Sequence, residues 1–498
     1  MYRPGATNRR LRPRAAIAAL PTGRAAAWSV GRARPPDDVG AVMIEPSHHA
    51  VSTIQPMAAD TRLRKRARLP RPLVDFLHAE AAGGVVLVIA TIVALIWANS
   101  PFRDSYHELW ETTIEVIVGD HLLRLDLREW VNDGLMTIFF FVVGLEIKRE
   151  LVVGELRDRR TATLPVVAAL GGMVVPALIY VAFNAGGAGS SGWGIPMATD
   201  IAMAVGVLSL LGSRVAPSLK LFLLALAIVD DIGAIIVIAI FYSGGIDLTA
   251  LAVAIALIAL TLVLRLLGVR AIWPYVAVGV ALWLAIHESG VHATIAGVIL
   301  GLMTPTGASW SPSTIDGEQL ADLSSVEAAR NTTVLARGSV SIAEWLEHGL
   351  HPWSSYVIIP LFALANAGVP ISADSVGDAL RSPIAHGVMF GLVVGKLAGI
   401  TSFTWLAVRL RLGTLPTEAT WRGLVGVAAL GGVGFTVSIF VSQLAFGADG
   451  RDTSAKLGIL TASLTAAVLG VLILRRGGRP TPTSVAVPAV ATPEPRAS

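Results

Sequence analysis

The chain has 498 residues, of which 54% are hydrophobic and 15% charged, with a formal charge of +4 and no cysteine. Together with a mean hydropathy of +0.66, this excludes a soluble multidomain enzyme and indicates a polytopic membrane protein. Without cysteine there are no disulfides, no thiol catalysis and no cysteine-ligated metal.

Charge is unevenly spread. Residues 1–72 hold 14 Lys/Arg against 4 Asp/Glu, a net of +10 that leaves −6 for the rest of the chain. This leader reads as a basic, disordered segment orienting the first span. It lacks the interleaved aromatics of a nucleic-acid-binding arm, so no nucleic-acid partner is expected. Its apolar segment AAIAAL (15–20) is too short for a signal-peptide core, and Met43 and Met57 are alternative starts.

From there the sequence predicts about twelve transmembrane helices within a membrane domain over 73–476. Their cores fall at 77–98, 130–147, 162–183, 195–211, 219–242, 248–267, 273–287, 290–303, 354–369, 385–407, 422–446 and 455–474. Between the first two, IEVIVGDHLLRLDL (114–127) has β-favouring runs on either side of Gly119-Asp120, the pattern of a small hairpin. Residues 304–343 read as a mobile loop insertion, and 477–498 as a disordered Pro/Ala-rich tail. Basic loop residues such as Lys148, Arg149, Arg157, Arg159, Arg160, Arg409, Arg475 and Arg476 gather on one side. By the positive-inside rule that side, with both termini, is cytoplasmic and the hairpin is extracytoplasmic.

Asp230 and Asp231 stand together inside LLALAIVDDIGAIIVIAIFY (223–242). A carboxylate at bilayer depth costs about 2.5–3.5 kcal/mol on insertion scales, so two adjacent ones need a watery cavity and partners. Asp200 in GIPMATDIAMAVG (194–206) and Lys396 in GLVVGK (391–396) are the candidate partners. Ionisable groups inside spans mark ion pathways and proton relays. The segments 194–206 and 430–440 (LGGVGFTVSIF) each mix Gly or Pro with small polar residues, at corresponding places in two triplets of spans. Paired interrupted helices of this kind point to a transport site at a repeat interface.

Nine stretches resemble the NhaA-type Na+/H+ antiporter family: VVGLEIKRELVVGEL (142–156), GGMVVPALIY (171–180), IPMATDIAMAVGVLSLLGSR (195–214), LALAIVDDIGAI (224–235), SGVHATIAGVI (289–299), LEHGLHPW (346–353), PLFALANAGV (360–369), GLVVGK (391–396) and GFTVSIF (434–440). They run in order between about Asp75 and Arg475. The resemblance implies inverted repeats with two discontinuous helices, an architecture of which this family is itself a type example. It implies that Asp230 and Asp231 form the essential aspartate pair, with Asp231 the direct Na+ ligand. Thr199 and Asp200 match the Thr-Asp of the first broken helix, and Lys396 the salt-bridge partner of Asp230. Glu146, Arg149, Glu150, Glu347, His348 and His351 match residues of cytoplasmic entry and pH control. The family pattern has proline after the lysine, where this chain has Leu397. The resemblance also implies a homodimer through 114–127.

The expected function is therefore export of Na+, and of Li+, in exchange for protons across a cell membrane, pH-regulated and electrogenic. Na+, Li+ and H+ are cargo, and no cofactor is expected. Na+ is a hard cation suited to the oxygens of Asp231, Asp230 and Thr199. A Na+-coupled symporter of an organic solute is the alternative. Enzyme readings fare worse: His287 and His292 are five apart, not the four that place two ligands on one helix face.

Overall fold

The structure, a computed structural model, describes residues 71–118, 121–269, 271–306, 341–447 and 450–476. The basic leader as far as residue 70, the bulk of the 304–343 insertion, Gly119 and Asp120, and residues 477–498 lie outside the described residues. What is described is mainly helix. In a bilayer interior no water is present to satisfy backbone groups, so each span must close its own hydrogen bonds.

Helix α1 (Arg71–Ala98) leads to a short amphipathic α2 (Arg103–Trp110), then β1 (Thr113–Val118) and β2 (His121–Asp126). The strands pair antiparallel from Thr113↔Asp126 to Val118↔His121. Asp126 and Glu129 form a reciprocal capping box that starts the next helical stretch. A π-helical segment, Trp130–Leu135, leads into α3 (Met136–Val152). There follow α4 (Arg159–Asn184), a 3₁₀ segment (Ser190–Met197), α5 (Ile201–Leu210), α6 (Pro217–Phe241), α7 (Leu248–Leu266), α8 (Ile272–Glu288) and α9 (Ile295–Met303). Beyond the insertion come α10 (Ile342–Trp353), a π segment (Ser354–Ile358), α11 (Ile359–Asn366) and α12 (Ala373–Arg381). The chain ends in α13 (Pro383–Phe390), a third π segment (Gly391–Gly395), α14 (Lys396–Arg409), α15 (Trp421–Leu430), α16 (Phe435–Phe446) and α17 (Gly450–Arg476).

Among the described residues, seven helices are long and apolar enough to cross a bilayer, and the bent pair α15–α16 makes an eighth. The remaining predicted cores, at 130–147, 273–287, 290–303 and 354–369, fall on shorter or π-interrupted helices. Lipid-facing surface is plain on α1, which exposes Val85, Ile89, Ile92, Val93 and Ile96 while burying Leu87 and Ala94.

One group of helices, α4, α5, α6, α14, α15 and α17, shares a core that includes Leu164, Leu223, Ile400 and Leu424. Outside it, α3 lies against α9 and α10 and α7 against α8, while α1 packs on both α5 and α11. Glycine sets the closest approach within that group. A Cβ on Gly171 of α4 would strike the Gly399 carbonyl of α14, so neither position tolerates a side chain without parting the helices.

Candidate ion-binding site

Both interrupted segments break where Gly or Pro mixed with small polar residues predicts it. In the first, the 3₁₀ segment ends at Met197 and α5 begins at Ile201, so its first half is 3₁₀ and not α-helical. In the second, α15 ends at Leu430, α16 begins at Phe435, and the two are bent by 45°. Each break strands backbone groups in an apolar interior, where leaving them unpaired is costly. The two breaks satisfy one another: Asp200 N–H donates to the Val433 carbonyl at 2.7 Å.

The Asp200 carboxylate completes the crossing. Its Oδ1 accepts from Met203 N–H at 2.9 Å, capping α5. Its Oδ2 accepts from Thr436 N–H at 3.0 Å and from the Thr436 hydroxyl at 2.6 Å, capping α16. One buried carboxylate thus faces two helix N-termini, each carrying roughly half a positive charge. Thr436 lies within GFTVSIF but is not among the predicted site residues. Its position one residue into the second half-helix is the signal that marks it.

Helix α6 brings Asp230 to Lys396, the first residue of α14; Asp230 is 1% exposed and Lys396 is fully buried. Lys396 Nζ makes a salt bridge to Asp230 Oδ2 and donates to Thr199 Oγ1 at 3.0 Å. Thr199 Oγ1 lies 2.7 Å from Asp230 Oδ2 and 2.8 Å from the Gly431 carbonyl, so its single proton serves one of them at a time. The hydroxyl therefore stands between the ion pair and the carbonyl end of α15. Lys396 meets that end through Thr199 and makes no hydrogen bond to it directly among the described residues. At Leu397, α14 runs on without a break.

Asp231 is placed differently. Successive helical residues diverge by about 100°, and while Asp230 turns to the lysine, Asp231 lines a cavity with Thr199, Asp200, Thr436, Glu146 and His351. It is 7% exposed and makes no hydrogen bond or salt bridge among the described residues. The adjacent carboxylates have distinct surroundings, one a closed ion pair and the other an open oxygen donor. Asp230 Oδ1, also without a hydrogen-bond partner among the described residues, remains as a second such donor.

At the other end of the cavity α3 meets α10. Arg149 Nη1 is 2.6 Å from Glu347 Oε1, and His351 Nε2 is 3.8 Å from Glu146 Oε1. Glu150 belongs to the same helix face but acts locally, since its Oε1 accepts from Glu155 N–H at 2.6 Å and secures the turn after α3. His348 is exposed and shares no hydrogen bond or salt bridge with this group among the described residues. Four of the six predicted entry residues thus form interhelical pairs, and Glu150 and His348 do not.

The sequence model of the family described as Na+/H+ antiporter 1 matches residues 74–474. Among curated proteins, the Na+/H+ antiporter NhaA of Rhodopirellula baltica is 48% identical over 416 residues, covering 81% of this chain and 93% of its own length. That of Oleidesulfovibrio alaskensis is 46% identical over 453 residues, covering 87% and 99%. The Na+/H+ antiporter NhaA 2 of Sorangium cellulosum is 48% identical over 424 residues, covering 82% and 91%.

Proposed function

The chain belongs to the Na+/H+ antiporter 1 family, and we propose that this multi-pass membrane antiporter exports Na+, with Li+ as a second cargo, in exchange for protons, with Asp231 as the exchanging group. The observation that carries this assignment is the unpaired Asp231 carboxylate, buried in a cavity beside the closed Asp230–Lys396 pair. A buried oxygen donor without a counter-ion is costly unless it takes up a proton or a cation. Na+ and H+ therefore compete for it, and that competition couples their movements. Asp230 Oδ1 and the Thr199 hydroxyl supply further oxygen of the kind a hard cation favours. Asp200 holds the crossed helices and offsets their positive ends, while Lys396 offsets Asp230.

If the Asp231 and Asp230–Lys396 groups between them release two protons for each Na+, net charge crosses in every cycle. The membrane potential then drives export, at roughly 2.3 kcal/mol per charge per 100 mV. We place the Glu146–His351 end in the cytoplasm, with both termini, from the distribution of basic loop residues. There the Arg149–Glu347 and Glu146–His351 pairs form a pH-responsive entrance, histidine titrating near pH 6.5 when unperturbed. The twelve-span topology, the extracytoplasmic β1–β2 hairpin and a homodimer through 114–127 belong to the same reading, in the cell membrane.

Everted vesicles loaded with a pH-sensitive dye test it. Addition of NaCl or LiCl is expected to collapse an imposed proton gradient, whereas KCl is not. No response to either salt between roughly pH 6.5 and 8.5, the range above histidine titration, overturns the antiport reading. Na+-dependent uptake of an organic solute without proton movement would establish the symporter instead.

A further inference from the structure

Away from the ion site, three side-chain amides close a ring. Asn132 Nδ2 donates to Gln443 Oε1 at 2.9 Å. Gln443 Nε2 donates to Asn366 Oδ1, and Asn366 Nδ2 returns to Asn132 Oδ1 at 2.7 Å. Each amide gives one proton and accepts one, so the ring is satisfied in a single sense of direction. Asn366 is further held by the Phe362 carbonyl at 3.0 Å. Three polar groups that satisfy one another in this way, between apolar helices, form a specific device whose loss leaves its members unpaired.

Its place in the fold is informative. Asn132 sits in the π segment that follows the hairpin, Asn366 ends α11, and Gln443 is in the last turn of α16. All three are at the hairpin end of the bundle. Fourteen residues separate Asn132 from Glu146 at the opposite mouth, roughly 20 Å of helix. Just inside the ring lies an aromatic layer, with the Phe440 ring 5.5 Å from Phe140 and 6.2 Å from Phe362. The cavity that reaches Asp231 contains Glu146 and His351 in its lining and none of the ring residues.

The three residues stand on three different elements. Gln443 shares α16 with Thr436, which bonds Asp200 at the crossing. Asn132 belongs to the segment that runs into α3 and Asn366 to α11, and these two are bonded to each other. Gln443 is the member whose two amide bonds tie α16 to the other two elements. Separating α16 from α3 and α11 at the hairpin end would break these two bonds and leave the Asn366–Asn132 bond intact.

We infer that Asn132, Asn366 and Gln443 are the latch of the gate that closes the hairpin side of the path to Asp231, and that its release accompanies exposure of the site to that side. This rests on the antiport reading, in which the site must meet both sides in turn.

The natural chain has no cysteine, so introduced thiols are unambiguous. Asn132→Cys combined with Gln443→Cys, bridged by a short reducible bis-methanethiosulfonate reagent, is expected to lose Na+-driven proton exchange and to regain it with dithiothreitol. Each single substitution is expected to show the same exchange before and after the reagent, whatever its own level. Undiminished exchange in the bridged protein overturns the latch.

A second arm needs no transport. In the Phe362→Cys chain, Gln443→Ala is expected to raise severalfold the labelling rate by a membrane-impermeant maleimide added from the hairpin side. An unchanged rate overturns the latch as well. If the natural chain itself shows no Na+-driven exchange, the antiport reading fails, and the labelling arm still judges the gate.

Discussion

The crossing of the broken helices and the mouth between α3 and α10 both hold acids and bases, yet they use them differently. At the crossing Asp230, Lys396 and Asp200 are at most 2% exposed, and each charge meets a complementary one or a helix end. At the mouth the Arg149 side chain is 36% exposed and its partner Glu347 only 6%, so that pair reaches water on the arginine side alone. Depth sets the stakes. A charge removed from water must be compensated almost fully, whereas solvent screens one at the surface and makes its pairing worth little. Asp231 lies at the deep end of the cavity with no such partner. That exception to the rule of its region is why it is assigned the exchange itself.

Substitutions separate the two regions, and the largest effect is expected at the exception. Asp231→Asn retains size but removes the charge that binds Na+ and carries the proton, so exchange should vanish at every pH and Na+ concentration. Dye dequenching in everted vesicles measures this, and residual Na+-driven exchange would move the ion to another carboxylate. Asp230→Asn and Lys396→Gln should each lose about 3–5 kcal/mol of stability, the usual result of breaking a buried pair from one side. The double substitution should recover much of that loss. Thermal unfolding of the purified proteins reads the cycle, and additive losses would mean that the pair does not act as a unit.

Smaller effects sharpen the comparison. Thr436→Val removes one hydroxyl bond to Asp200 and spares the backbone one. A loss of about 1.5–3 kcal/mol is expected, the range for hydrogen bonds to a charged group. At the mouth, Arg149→Gln should cost less than Asp230→Asn, because the arginine is partly solvated although its loss leaves the buried Glu347 without its partner, while shifting the pH dependence of exchange and leaving its maximum rate largely intact. A loss as large as that of Asp230→Asn would erase the distinction between regions. Deleting residues 114–126 is expected to affect neither region, sparing exchange while shifting the purified protein from dimer to monomer on size-exclusion chromatography.

Much of this was legible before the fold was known, because burial of charge leaves a one-dimensional trace. Asp230, Asp231, Asp200 and Lys396 interrupt apolar runs, and the proline and small polar residues before 201 and the glycine-rich break near 432 mark where helices cannot continue. The β-favouring runs around Gly119-Asp120 likewise match two strands that pair locally. The pattern of local apolarity therefore determined the membrane class, the approximate spans and the identity of the charges at the crossing, though not the largely buried Asp452–Lys456 pair.

Partnership was decided only by tertiary structure. Thr436 caps Asp200 from 236 residues away. Gln443 closes its ring with residues 311 and 77 positions distant. Glu150 and His348 fit the helix face or motif of the entry group, yet the first serves its own helix end and the second is exposed. Neutral amides and hydroxyls cost too little in a span to stand out from ordinary helix-packing residues. Their value arises when another helix presents a matching donor or acceptor at about 3 Å, and no local pattern encodes that distance.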